Sequence, residues 1–222
     1  MFKGIIFKEW IKLRWFLVIY AVFALLDLGY IFLKVRHDII FNEANSYWYG
    51  VLFMGHQYFR FLKYIPLAGG IVVAVAQFFP ETVNKRIKLT FHLPRKEDAM
   101  LLTMTGYGAT CLLVVYLLVF GLFLLLSALF FPAEITSAAA LSLTPWFLAG
   151  MAAYFLGALI ILEPVWLYRF LYLVAAGAFV PFFLKAGVSG SYAPLLVPLA
   201  ILVALLSISL LFSGYRFRKG EM

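Results

Sequence analysis

Ten acidic residues, three histidines and one cysteine are the groups with which this chain could catalyse, bind metal or carry protons. His37, His56 and His92 stand far apart, and no cysteine or carboxylate cluster joins them into a ligand set of the kind transition metals need. His37 and His56 do share one loop, which leaves a metal contact there open. Cys111 lies inside an apolar run. It has no second cysteine to pair with, so it reads as a small packing residue. The sequence has no G-x-x-x-x-G-K-[ST] cradle for nucleotide phosphates, no H-E-x-x-H and no G-x-S-x-G elbow. No catalytic residue, cofactor site or metal site is expected.

Three carboxylates still stand out by position. Asp27 falls in the middle of an apolar run, where an ionised group costs several kcal/mol unless it is paired or wet. It is expected to face the bundle interior or an aqueous cleft. Glu163 precedes Pro164 at the end of another run, with Arg169 one or two helical turns on, and a structural pair at the membrane surface is expected. Glu9 falls on the apolar face that Phe2, Ile5, Ile6, Trp10 and Leu13 form at helical spacing. It either pairs locally, with Lys12 or Arg14, or touches another segment on the same side of the membrane.

The elements that must position these groups are spans. Hydrophobic residues make up 65% of the chain and charged residues only 13%, too few to coat a water-soluble domain of this size. The apolar residues come in unalternating runs of about 20, which cross a bilayer as helices rather than as barrel strands. Six spans are predicted: residues 15–33, 61–79, 99–130, 143–162, 165–184 and 193–212. Residues 1–14 are read as an amphipathic helix lying in the interface before the first span. The fold class is thus an all-α integral membrane protein of one transmembrane domain, residues 1–222. Residues 34–60 form a long loop rich in aromatic residues, of the kind that settles at headgroup level. Nothing before the first run resembles a cleavable leader.

Of the 18 lysines and arginines, thirteen fall on one side of this topology and five on the other. The bias puts both termini in the cytoplasm and the chain in an inner, cytoplasmic membrane. The net charge of +8 then serves anionic lipid and the positive-inside rule, not nucleic acid. Small residues repeat every fourth position at Ala149, Ala153 and Gly157, and at Gly70 and Ala74, as close helix packing requires.

The stretch Pro80–Met100 is basic, yet it carries Ile87, Leu89, Phe91 and Leu93 between its charges. A plain linker has no use for those apolar residues; a segment that docks into a soluble partner does. Together with the Lys8-Glu9 pair and Arg14 before the first span, Glu81 at the end of the second, Leu93-Pro94-Arg95 and then Glu97, the chain resembles the permease subunit of an ABC-2-type, type V-like exporter. The usual glycine-threonine after the glutamate is missing, Lys88-Leu89-Thr90 standing there, and the basic residue follows Pro94 directly. The resemblance implies a permease that pairs with a second copy or a similar chain and binds a separate ATPase subunit, which holds the ATP. It implies that residues 80–98 are the coupling loop, with Glu81, Arg86, Leu93, Pro94 and Arg95 at or near the ATPase and Glu9 beside them. The competing readings are a non-ABC membrane assembly subunit or secondary transporter, and a polytopic lipid-modifying enzyme. The first would need an inverted repeat, which is not apparent, and the second a carboxylate or histidine cluster at the interface.

Overall fold

The computed structural model describes residues 2–42, 44–83, 97–185 and 192–219. Among them every regular element is helical: α1 (Phe2–Asn42), α2 (Ala44–Phe53), α3 (Ile65–Val83), α4 (Glu97–Phe130), α5 (Ala133–Leu162), α6 (Trp166–Leu184) and α7 (Leu196–Lys219), with single 3-10 turns at Arg60–Tyr64 and Ala193–Leu195. Among the described residues six helices are long and apolar enough to cross a membrane, and α2 is the short exception.

The first span differs from the sequence expectation. Residues 2–14 are not a separate helix; α1 runs unbroken for 41 residues through Trp15 and beyond Leu33. No proline or glycine lies near residues 14–15 to stop it, so propagation continues through the join. Helix α3 likewise passes through Pro80 instead of ending there, and α5 begins about ten residues before the predicted Leu143 and contains Pro145. In a membrane bundle neighbouring groups can satisfy the carbonyls such prolines release.

Helix α5 is the centre of the bundle: it touches α3, α4, α6 and α7. Of its most apolar 18 residues 67% are buried, against 11% for α6 and 17% for the last span. The seam with α3 is very close. A side chain on Gly70 would collide with the Gly150 carbonyl, one on Gly150 with the Pro66 carbonyl and the Tyr116 hydroxyl, and one on Gly157 would meet the Ala74 Cβ at 3.0 Å. The small-residue stripes read from the sequence thus pack α5 on α3 within one chain, with Gly150 as the additional member. At the end away from the N-terminus, Tyr58, Phe59, Phe123, Phe131 and Trp146 form a buried aromatic cluster, in which Tyr58 shares a hydrogen bond of 2.7 Å with Ser127. Burial pushes the Tyr58 hydroxyl up to about 12, so it stays protonated in that bond.

Candidate functional site

The start of α1, the end of α3, the start of α4 and the end of α5 meet at one end of the bundle and bury a polar network there. Gln77 is its hub. Its side-chain nitrogen donates to Glu9 Oε2 at 2.9 Å and to the Met104 carbonyl at 2.7 Å, and its oxygen accepts from the Tyr154 hydroxyl at 2.7 Å. Tyr154 also reaches the Thr105 carbonyl at 3.0 Å. Gly108 lets both side chains approach, since a Cβ there would overlap Gln77 and Tyr154. Lys12 Nζ then bridges Glu9 Oε1 at 2.6 Å and Glu81 Oε1 at 2.8 Å, and Lys8 Nζ reaches the same Glu81 oxygen at 2.8 Å. Glu9, Gln77 and Glu81 are sealed from solvent, whereas the Lys8 side chain stays 41% exposed.

Glu9 pairs with Lys12 on its own helix, as the local reading has it, and also touches Gln77 within α3, a contact inside the second span. The carboxylates of Glu9 and Glu81 do not point outward. They are spent on the chain's own lysines and amide, because an unpaired charge at this depth would cost several kcal/mol. Arg86, Leu93, Pro94 and Arg95 lie outside the described residues. Gln77 and Tyr154, absent from the sequence reading, had one signal available: each is a polar group standing in a strongly apolar run, and buried polar groups seek partners.

A second polar knot lies at the same end. Glu163 closes α5, and its carboxylate takes bonds from Ser213 Oγ at 2.8 Å and Arg216 Nη1 at 3.0 Å. The expected pairing with Arg169 is corrected. Arg169 binds the Glu163 carbonyl at 2.7 Å, and Arg216 on α7 pairs with the carboxylate instead. Sequence distance misled here, because α7 packs back on α5 from 53 residues away. Arg216 also lies 3.9 Å above the Tyr168 ring, a cation–π contact that ties α6 to α7.

Asp27 sits at the margin of the buried face of α1 that Ala24, Leu28 and Ile31 define. It is half-buried, and its Oδ2 is closed off without a hydrogen-bond partner among the described residues. The arrangement costs free energy, so Asp27→Leu is expected to raise the thermal midpoint in detergent by a few degrees, on the order of 1–2 kcal/mol. An unchanged or lower midpoint would mean that the carboxylate has a stabilising partner.

Among the described residues no group of three or more histidines, cysteines or carboxylates is placed to hold a metal ion. The molecule is a multi-pass helical membrane protein with a buried ionic network at one end. No family model, curated protein or solved structure matches the chain.

Proposed function

We propose that this chain is the transmembrane permease subunit of an ATP-binding cassette exporter, working with a separate ATPase and a second permease copy or a similar chain. The reading is supported by one observation above all: the two helices that flank residues 84–96 are tied to the rest of the bundle by one network, α3 through Gln77 and Glu81 with Glu9, Lys12 and Tyr154, and α4 through the Met104 and Thr105 carbonyls. A push or pull on that basic, partly apolar loop would reach α1, α3, α4 and α5 together and would not dissipate in one helix end. On this reading the network end and both termini are cytoplasmic, in an inner membrane. Glu9 and Glu81 act as positioning residues behind the coupling loop, and Arg86, Leu93, Pro94 and Arg95 supply the contact.

Leu93→Asp is the test. An apolar side chain of this size contributes about 1.5–3 kcal/mol when buried in a partner, and a carboxylate in its place would carry an added desolvation cost. The variant is expected to insert and fold but to lose the co-purifying ATPase, or the stimulation of its hydrolysis in nanodiscs, by at least about tenfold. Full retention of partner and hydrolysis by Leu93→Asp would remove the coupling role.

A further inference from the structure

The opposite end of the bundle holds a cavity of about 860 Å³, in the upper part of the range for small-molecule sites. Four separate parts of the chain wall it: Ile31, Lys34, Val35 and Asp38 of α1; Tyr47 of α2; residues between Gly55 and Tyr64, Arg60, Phe61 and Lys63 among them; and Pro181, Leu184 and Lys185 at the end of α6. Gly55 shapes the rim. Its φ of 66° ends α2, and the His56 N–H turns back to the Gly50 carbonyl at 3.0 Å.

The charge of this cavity is one-sided. Lys34, Arg60, Lys63 and Lys185 line it against a single carboxylate, Asp38. None of the four cations has a carboxylate within 4 Å among the described residues. Two of them lie over aromatic rings of the same wall, Lys34 over Phe61 at 5.3 Å and Lys63 over Tyr64 at 5.6 Å. These four are also four of the five basic residues that the topology places on the side poor in positive charge; only Arg36 stands outside the cavity. The apolar wall from Ile31, Phe61, Pro181 and Leu184 adds a surface that a small hydrated ion cannot use.

From this placement we infer that the cavity binds an anionic amphiphile, its phosphate-type headgroup held by Lys34, Arg60, Lys63 and Lys185 and its apolar body laid along Phe61, Pro181 and Leu184. Cationic groups at a membrane surface favour acidic lipid additively, and a concave site with low-dielectric walls strengthens each contact. The site stands whether or not the chain couples to an ATPase.

The experiment is native mass spectrometry of the full chain released from nanodiscs of equal phosphatidylglycerol and phosphatidylcholine, with thermal shift by inorganic phosphate as a parallel arm. Wild type should retain phosphatidylglycerol preferentially. Arg60→Gln and Lys63→Gln should each lower that preference about fivefold, and the variant with all four cations changed to glutamine should abolish it. Arg36→Gln, the same charge change outside the cavity, should leave it unaltered. Equal retention of the two lipids by wild type, or undiminished preference in the single and quadruple variants, overturns the proposal. Stabilisation by inorganic phosphate without preferential lipid retention also overturns it, since the site would then take a small anion.

Discussion

Glu81→Leu should be the most damaging single change at the network end, lowering stability by about 3–5 kcal/mol because it removes the sealed carboxylate on which Lys8 and the largely buried Lys12 converge. Lys12 and Lys8 both place their ammonium groups 2.8 Å from one Glu81 oxygen, and Lys12 also pairs with Glu9 at 2.6 Å. Lys8 can swing towards water, since its side chain is part-exposed, but Lys12 cannot. Glu81→Gln keeps the shape and the acceptor while removing the charge, so it should lose roughly half as much. The measurement is the thermal midpoint in detergent for wild type, Glu81→Gln and Glu81→Leu. Equal midpoints for all three would mean that the ion pairs contribute nothing net. Glu9→Gln belongs to the same series and should couple non-additively with Glu81→Gln, because both carboxylates lean on Lys12.

Gly150→Leu should cost about 3 kcal/mol or more, through packing alone. Any side chain there runs into the Pro66 carbonyl and the Tyr116 hydroxyl, which are themselves joined by a hydrogen bond of 2.5 Å. Helix α3 must move off α5, and that bond is broken with it. Gly121→Leu on α4 and Gly177→Leu on α6 add the same side chain where nothing stands within 4 Å, and should be near neutral. Midpoints for the three variants decide the matter: a neutral Gly150→Leu would show that the α3–α5 seam is loose.

The six spans were legible because a run of about 20 apolar residues has few other uses. The buried carboxylate at position 9 was legible too, as the one residue that broke the pattern of its helix face. Its partner Gln77 was not, since a lone amide in an apolar run does not say which of five neighbouring helices it meets. The Glu163–Arg216 pair escaped for the same reason, local sequence offering Arg169 as a nearer but incorrect candidate. The length of α1 escaped differently. Charge at Lys8, Lys12 and Arg14 suggested a change of environment, but a change of environment is not a break in a helix, and no residue there interrupts the hydrogen-bond ladder. The cavity is a product of folding: its cations come from positions 34, 60, 63 and 185, and only the packing of α1, the Arg60–Tyr64 turn and the end of α6 makes them neighbours.

The uninterrupted α1 has a mechanical meaning. At 1.5 Å per residue its 41 residues make a rod of about 60 Å, roughly twice the thickness of the hydrocarbon layer. Lys8, Glu9 and Lys12 grip one end of that rod, and Lys34 and Asp38 stand on the wall of the cavity near the other. A helix with no break along it transmits force as one rigid body. A displacement imposed at the ionic network would therefore be felt at the cavity wall without being absorbed along the helix. One element, with no break along it, thus joins the ionic network at one end of the bundle to the cavity at the other.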